Sequence, residues 1–219
     1  MSTSASAAGI APAPSPQDFV RTTLELDEVV LRPWSRDDID EPTTLDALVA
    51  AANDPQIALW NPLPAADRDA AAKWLEVREN AWDAGNVATF AIVENTRLTA
   101  TTDTVPGLLG ALTVRWTDRA DGLAMIGYWL LPAARGWGLA TRATIAAADW
   151  AFATAGVRRL ELAHAVENEA SCRVAARSGF PAEGVLRASY RFGDGAYHDE
   201  HLHARLATDP APEPAGGRG

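Results

Sequence analysis

The sequence contains very little cysteine, since Cys172 is the only one among 219 residues. An intramolecular disulfide is therefore excluded. Neither a Cys-x-x-Cys pattern nor a histidine next to it in sequence supports a reactive thiol. We therefore predict that Cys172 is a small buried residue on a helix.

Long apolar runs and an excess of positive charge are also missing. No run approaches the roughly 18 apolar residues of a membrane-spanning helix, and the N-terminus lacks the basic and apolar regions of a signal peptide. The 19 basic residues are outnumbered by 29 acidic ones, so the net charge is −10. This balance argues against direct binding of nucleic acid and favours cationic substrates, although solubility alone accounts for it equally well. We expect a cytoplasmic protein that binds neither nucleic acid nor membranes.

Composition divides the chain into one folded region and two tails. Residues 1–18 consist largely of Ala, Ser, Pro and Thr and predict a disordered lead. Residues 208–219 are rich in Pro, Gly and Ala and predict a disordered tail. The region between them, 19–207, has the length of one generous domain.

The most informative stretch is a strand–turn–helix pattern near the middle of the chain. Ile126–Leu131 is an apolar segment typical of a buried strand, and Pro132 ends it. Leu139–Phe152 has the Ala-rich composition of a helix. Between them lies Arg135-Gly136-Trp137-Gly138-Leu139-Ala140. Two glycines followed by the free N–H groups of a helix's first turn favour a phosphate or pyrophosphate ligand, and Arg135 adds positive charge beside it.

Two common phosphate-binding motifs do not fit this turn. The third glycine of a dinucleotide fingerprint is absent because position 141 is Thr, and no Gly-Lys-Ser/Thr sequence follows. The acidic residue that would bind a ribose about 20 residues further on is absent too. A nicotinamide-dependent enzyme is therefore disfavoured.

A second motif follows the first at the distance of one strand–helix–strand unit. Val157–Val166 predicts a strand, and Asn168 is a suitable cap for a helix that ends at Gly179. The helix begins with Asn168-x-x-Ser171, and Gly-Phe-x-x-Glu-Gly-Val-Leu-Arg occupies positions 179–187. With the glycine turn, this series resembles the GNAT superfamily of N-acetyltransferases, in particular the subgroup of ribosomal-protein N-terminal acetyltransferases of the RimJ and RimL type. The resemblance extends from about Leu24 to Leu206.

The resemblance implies an α/β (α+β) fold. Its centre would be a mixed, mostly antiparallel sheet of about seven strands, splayed at the coenzyme A site and flanked by helices. Phe19–Arg32 predicts a first strand or a hairpin. Asp38–Asn53 and Ala65–Ala84 predict two helices, separated by a loop from Asp54 to Pro64, and Asn95–Pro106 predicts a long loop.

The resemblance also implies acetyl-CoA, or another acyl-CoA such as succinyl-CoA, as co-substrate and no metal. The glycine turn would hold the pyrophosphate, the preceding strand would pair with the pantetheine arm, and an N–H at or near Leu130 would polarise the thioester. Asn168 and Ser171 would contact the arm or the sulfur. The predicted cofactor-binding residues are Leu130, Leu131, Arg135, Gly136, Trp137, Gly138, Leu139, Ala140, Thr141, Asn168 and Ser171.

The catalytic residues are less sharply indicated. Many relatives carry a tyrosine acid further along the helix that begins after Asn168, where this chain has Ala175 and Ala176. Ser171 is therefore the predicted thiolate stabiliser, and Tyr128 is a weaker substitute for the acid.

Several groups are open as the base that takes the ammonium proton. His164 is titratable near neutral pH, and Glu94 and Glu161 are carboxylate alternatives. A positioned water without a dedicated residue is a further alternative. Trp60 and Glu94 are the predicted acceptor-binding residues.

Other interpretations stay open at this point. His198, His201 and His203 lie close together in sequence and raise the question of a metal. Without a further ligand, packing or hydrogen bonding is preferred, and no metal is predicted. The predicted acceptor is a primary amine, either a protein N-terminus or a small molecule, and a homodimer is compatible with the family. The alternative function is a non-catalytic CoA-binding sensor or partner subunit.

Overall fold

The computed structural model describes residues 15–95 and 107–212. Within these ranges the chain forms eight strands and six α-helices. The strands are β1 Leu24–Leu26, β2 Val29–Pro33, β3 Val87–Glu94, β4 Leu108–Asp118, β5 Leu123–Leu130, β6 Arg159–Ala165, β7 Ala182–Arg191 and β8 Tyr197–Leu206. The helices are α1 Arg36–Asp40, α2 Pro42–Asn53, α3 Pro55–Trp60, α4 Arg68–Asp83, α5 Leu139–Ala155 and α6 Glu169–Arg177. None of these helices is both long and apolar enough to cross a membrane.

All eight strands form one sheet in the order β1-β2-β3-β4-β5-β6-β8-β7. Every neighbouring pair is antiparallel except β5 and β6, which are parallel. The mixed, mostly antiparallel sheet flanked by helices is confirmed, with eight strands where about seven were expected. Phe19–Arg32 supplies the hairpin β1–β2, whose turn includes Asp27 at a φ of 46°.

The sheet separates two apolar cores because successive strand residues point to opposite faces. Phe90 and Ile92 of β3 pack with the alanine-rich side of α5 on one face. Ala91 and Val93 pack with α2, α3 and α4 on the other. The sheet is thus covered by helices on both faces. Its strand pairing is interrupted where β5 and β6 diverge.

The helices before β3 correct two sequence predictions. The single helix expected over Asp38–Asn53 is two helices, because Pro42 starts α2 and Glu41 caps it with a carboxylate that accepts the Thr43 N–H. The loop expected over Asp54–Pro64 contains α3. Proline is tolerated at the first helical position, and the Asp54 carboxylate accepts the N–H groups of Gln56 and Ile57.

The predicted tails and the predicted Asn95–Pro106 loop fall mainly on residues 1–14, 96–106 and 213–219, outside the described ranges. The described residues next to the tails contact the domain. The Gln17 N–H donates to the Ala155 carbonyl, and Asp18 forms an ion pair with Arg119. Contacts therefore begin slightly before the predicted boundary at residue 19.

Candidate functional site

The main cleft lies where β5 and β6 diverge. Their pairing covers only Leu123–Met125 against Arg159–Glu161, at the start of each strand. Beyond these residues the strands separate and enclose a cleft of about 390 Å³. Its wall includes the second half of β5, the turn before α5, the second half of β6 and one face of α6. The predicted splay of the sheet is present at the predicted strands.

The glycine turn forms one end of this cleft. Gly136 and Gly138 have φ values of +80° and +70°, in the left-handed region that glycine adopts without strain. Gly138 is the N-cap of α5, and a β-carbon built at either glycine would meet no atom within 4 Å. The turn therefore leaves open space in front of the free N–H groups of a long helix. That is the arrangement that suits a pyrophosphate.

Arg135 is held in an ion pair at the same end. Its guanidinium donates to the Asp54 carboxylate at 2.6 Å and to the Leu130 carbonyl at 3.0 Å. Asp54 is also the N-cap of α3, and the hydrogen bond from Arg135 is the main cause that lowers its pKa. Arg135 thus joins the glycine turn to α3, and Asp54 compensates part of the positive charge.

The outer edge of β5 faces the cleft with backbone groups. The Tyr128 carbonyl accepts from the Asn61 side-chain amide at 3.1 Å, and the Leu130 carbonyl accepts from Arg135. Both carbonyls therefore point away from β4. Because alternate residues of a strand direct their polar groups to the same edge, the N–H groups of Tyr128 and Leu130 face the cleft as well.

The first turn of α6 forms the opposite wall. The Asn168 side-chain oxygen accepts the Ser171 N–H at 3.2 Å, which is the expected capping interaction. Across the cleft, the Tyr128 hydroxyl and the Ser171 hydroxyl are 3.2 Å apart, within hydrogen-bond distance. Burial raises the pKa of Tyr128 to about 12, while the bond to Ser171 lowers it by less. The Tyr128 hydroxyl is therefore protonated at neutral pH and able to donate a hydrogen bond.

An aromatic group borders the other end of the cleft. The Trp60 ring makes edge contacts with Phe192 and His198, at centroid distances of 5.6 and 5.9 Å. The turn between β7 and β8 reaches α3 here, where the Gly193 N–H donates to the Leu59 carbonyl at 2.9 Å. A β-carbon at Gly193 would lie 1.7 Å from the Ala58 carbonyl oxygen, so only glycine permits this approach.

His198 at this end is held by two acidic side chains. Its ring nitrogens lie within hydrogen-bond distance of the carboxylates of Asp194 and Glu167. These hydrogen bonds raise the pKa of His198, that from Asp194 most.

The three predicted bases lie in different surroundings. His164 lines the cleft, but its Nδ1 is 2.8 Å from the Ala165 carbonyl oxygen and its Nε2 is 3.2 Å from His203 Nε2. Burial is the main cause that lowers its pKa. Glu161 is in an ion pair with Arg159. Glu94 is exposed at the end of β3, and neither carboxylate is part of the cleft wall. The geometry therefore gives no support to any of the three as base, nor to Glu94 as acceptor ligand.

Most of the predicted cofactor residues lie in the cleft wall. Those present there are Leu130, Arg135, Gly136, Gly138, Leu139, Ala140, Thr141, Asn168 and Ser171. Two are not. The side chain of Leu131 packs into the core on the side of α2 and α4, and Trp137 is largely exposed.

Several wall residues were not singled out by the sequence. Asn61 and Phe192 come from distant segments, and no local pattern marks them. Arg173 and Arg177 of α6 also line the cleft. Their i, i+4 spacing on the helix that follows Asn168 is a signal that could have identified them.

Comparison with known proteins agrees with this geometry. Residues 28–181, more than half of the chain, match the family described as the acetyltransferase (GNAT) domain. A ribosomal-protein-serine acetyltransferase of Escherichia coli (strain K12) is 32% identical over 99 residues, which cover 45% of this chain and 55% of that protein. The chain thus spans about half the length of the curated relatives it matches.

Solved structures share the fold at low sequence identity. A ribosomal-protein-S5-alanine acetyltransferase from Vibrio fischeri superposes with a TM-score of 0.72 at 20% identity, covering 87% of this chain and 100% of that one. The ribosomal-protein acetyltransferase RimL in complex with coenzyme A gives a TM-score of 0.70 at 20% identity, covering 84% and 98%. From the family match, together with the splayed sheet and the glycine turn, the chain belongs to the GNAT acetyltransferase domain family.

Proposed function

We propose that this protein is an acyl-CoA-dependent N-acyltransferase that transfers an acetyl group to a primary amine. The observation that carries the proposal is the cleft between β5 and β6, with the glycine turn at one end and the hydroxyls of Tyr128 and Ser171 meeting across it. A phosphate-binding turn beside an open strand edge and a pair of hydroxyl donors suits a long phosphorylated thioester.

Coenzyme A would lie along the cleft. Its pyrophosphate would accept hydrogen bonds from backbone N–H groups at the start of α5. Arg173 and Arg177, which line the same cleft, supply positive charge for phosphate groups. The pantetheine arm would pair with the edge of β5 and contact Asn168. The N–H of Leu130 faces the cleft and would donate to the thioester carbonyl.

The reaction would proceed by direct attack in a ternary complex. The amine nitrogen forms a bond to the thioester carbonyl carbon, and the electron pair of the carbonyl moves to its oxygen. The tetrahedral intermediate then collapses as the carbon–sulfur bond breaks and the coenzyme A thiolate leaves. Holding the amine next to the thioester supplies much of the rate enhancement.

Tyr128 and Ser171 would stabilise the leaving thiolate. A thiol ordinarily has a pKa of about 8.5, well below the pKa of about 12 for Tyr128. The phenol is therefore better suited to donate a hydrogen bond to the thiolate than to transfer its proton completely. Ser171 can relay this bond, since its hydroxyl accepts one hydrogen bond and donates another.

Water would carry away the ammonium proton. The described cleft wall contains no aspartate or glutamate, and both nitrogens of His164 are within hydrogen-bond distance of other groups. An amine near pKa 8 to 10 needs only modest help from a water chain. This route is consistent with an enzyme whose rate rises with pH until the acceptor amine is deprotonated.

The acceptor class is a protein N-terminus, with a ribosomal protein as the first candidate. The relative in Escherichia coli is named for acetylation of a ribosomal protein. The net charge of −10 favours cationic acceptors, and the aromatic group of Trp60 and Phe192 offers apolar contact for the first side chain of a peptide. Acetyl-CoA is the proposed donor, with succinyl-CoA as the longer alternative.

The test measures thiol release from acetyl-CoA and succinyl-CoA with a panel of N-terminal peptides and small amines, with calorimetric CoA binding alongside. Tyr128→Phe and Ser171→Ala should each lower kcat about 10-fold or more, and the double variant about 100-fold. The dissociation constant of CoA should change by less than about threefold, because the hydroxyls act on the leaving group. Tyr197→Phe and Ser189→Ala, which alter hydroxyls outside the cleft wall, are the matched controls.

Two results would contradict the proposal. Tight CoA binding without release for any acceptor would favour the sensor or partner-subunit alternative. Absence of CoA binding would mean that the cleft serves a different ligand.

A further inference from the structure

Four metal-ligating side chains meet beside the cleft, in a group that we call the histidine–cysteine cluster. It comprises His164 on β6, His201 and His203 on β8, and Cys172 on α6. His164 and His201 are direct partners across the two strands, and His203 lies two residues further along the same face. One ligand atom from each of the four side chains lies within 4.8 Å of all the others.

The hydrogen bonds of two of these rings leave an unusual contact. His164 Nδ1 is 2.8 Å from the Ala165 carbonyl oxygen, and His203 Nδ1 is 3.0 Å from the Phe180 carbonyl oxygen. A carbonyl oxygen only accepts, so both Nδ1 atoms carry hydrogen and both Nε2 atoms of the neutral rings carry a lone pair. These Nε2 atoms are only 3.2 Å apart.

Two facing lone pairs in a buried site need something positive between them. The rings are 4% and 2% exposed, so water does not screen the contact. A shared proton would leave a buried imidazolium, and the hydrogen bonds described for these two rings include no carboxylate to balance it. A buried, unbalanced charge of this kind is costly. A metal ion accepts both lone pairs instead.

From this geometry we propose that the histidine–cysteine cluster binds one zinc ion. Zinc–nitrogen bonds of about 2.0–2.1 Å at a tetrahedral angle place two nitrogens about 3.3–3.4 Å apart, close to the 3.2 Å between the Nε2 atoms of His164 and His203. Three imidazoles and one thiolate form a tetrahedral donor set that zinc prefers, whereas magnesium and calcium require oxygen ligands.

The surroundings of the cluster match those of a metal site. Ligating histidines usually donate their second ring N–H to a carbonyl or carboxylate, as His164 and His203 do here with carbonyls. Cys172 and His201 are only half-buried, so packing restricts their side chains less than those of His164 and His203. The expectation of a buried cysteine is wrong, since Cys172 is only half-buried, and the proposed site departs from the expectation that no metal is bound.

The ion would have a structural role. Four protein ligands close the coordination sphere and leave no position for a substrate. Cys172 directly follows Ser171 in α6, so the ion would fasten the first turn of this helix to β6 and β8. This inference does not depend on the proposed transferase activity, since it rests on the contacts among these four side chains.

The test is zinc binding by the full chain after removal of metal with a chelator. In competition with a chromophoric zinc chelator, the wild type should bind one ion with a dissociation constant below ~1 µM. Cys172→Ser and His201→Gln alter the half-buried ligands and should weaken binding at least about 100-fold. His198→Gln lies on the same strand outside the cluster, where its ring contacts Asp194 and Glu167, and it should bind zinc as the wild type does.

Cobalt provides a second readout. The Co²⁺-loaded wild type should show the intense visible bands of a tetrahedral site and a thiolate-to-cobalt charge-transfer band, and the latter should disappear in Cys172→Ser. Zinc affinity no tighter than that of the His201→Gln variant would overturn the proposal. So would a Cys172→Ser variant with the affinity and spectrum of the wild type. Failure to bind zinc together with a nitrogen-bound proton shared by His164 and His203 in the NMR spectrum would assign the contact to a proton instead.

Discussion

The two ends of the cleft are built in different ways. The end that we propose binds the cofactor, called the cofactor end, comes from one continuous part of the chain, from β5 through the glycine turn and α5 to α6, and much of what it presents to a ligand is backbone. The end that we propose binds the amine, called the acceptor end, comes from α3 and from the turn between β7 and β8, which are far apart in sequence. There, Trp60 and Phe192 meet through their side chains.

This difference explains which end can be recognised in a sequence. Backbone N–H groups are present whatever the side chains are, so a phosphate site needs only a strand, a helix and glycines with the right freedom. Such a pattern is local. The acceptor end depends on a contact between Gly193 and the carbonyl of Ala58, which no spacing in the sequence announces.

The largest effect is expected from a substitution that disrupts only the cofactor end. Gly138→Glu places a side chain at a φ of +70° and a negative charge where the pyrophosphate would lie. We expect CoA affinity to fall more than about 100-fold, by loss of the anion site and by charge repulsion. Calorimetry with CoA measures this.

The matched control for that variant is Gly184→Glu. Gly184 lies on exposed β7, and a β-carbon there would meet no atom within 4 Å. Its CoA affinity should equal that of the wild type. Unchanged CoA affinity in Gly138→Glu would show that the glycine turn is not part of the cofactor site.

A smaller effect is expected from a substitution that disrupts only the acceptor end. In Gly193→Ala the new methyl group would collide with the Ala58 carbonyl, so the turn between β7 and β8 must move away from α3. We expect about 1–3 kcal/mol of destabilisation and an acceptor KM raised about 10-fold, or about 1.4 kcal/mol. CoA affinity should stay within about twofold.

Steady-state kinetics with varied acceptor and chemical denaturation test this variant, with Gly184→Ala as the matched control. An acceptor KM equal to that of the wild type would show that this turn does not contribute to acceptor binding. A parallel loss of CoA affinity would show that the two ends are not independent.

The smallest expected effect concerns the ion pair that joins the two ends. Asp54→Asn keeps an oxygen that can cap α3 but removes the charge opposite Arg135. Because the pair is only partly buried, we expect a loss of about 1 kcal/mol in the free energy of unfolding near pH 7. Asp46→Asn, in an exposed pair with Arg68, should cost less.

The pH dependence of this loss has a definite sign. The folded-state pKa of Asp54 is lowered, chiefly by Arg135, so its stabilisation is present above the usual aspartate pKa of about 3.9 and is lost as the pH falls through the lower folded value. The stability difference between wild type and Asp54→Asn should therefore shrink below about pH 4. A difference that grows on acidification would contradict the ion pair as its source.

The fold, and the part of the cleft wall around the glycine turn, could be predicted from the sequence for a physical reason. Strand β5, the turn and α5 follow from local composition. Two helix predictions failed because a competing local rule governed the boundaries. Pro42 and Pro55 each begin a helix, and a reading by apolar periodicity missed both boundaries.

Site residues that belong to a sequence motif were predicted, whereas residues that only packing brings to the cleft were missed. Ser171 was named from the resemblance to the GNAT superfamily, but its contact with Tyr128 depends on how far β5 and β6 diverge. His164 was named as a candidate base because a histidine side chain ordinarily titrates near neutral pH. Its engagement with Ala165 and His203 follows from strand pairing and burial, which a sequence does not display.

By itself, the sequence determined the strand, the glycine turn and the helix caps, because these depend on the conformational freedom and hydrogen-bonding groups of neighbouring residues. Only the tertiary structure decided which side chains share a space. It brought Asn61 to the edge of β5, paired Arg135 with Asp54, and gathered three histidines around Cys172. Such meetings are set by strand register and by the packing of helices on the sheet, and they join residues that no local rule connects.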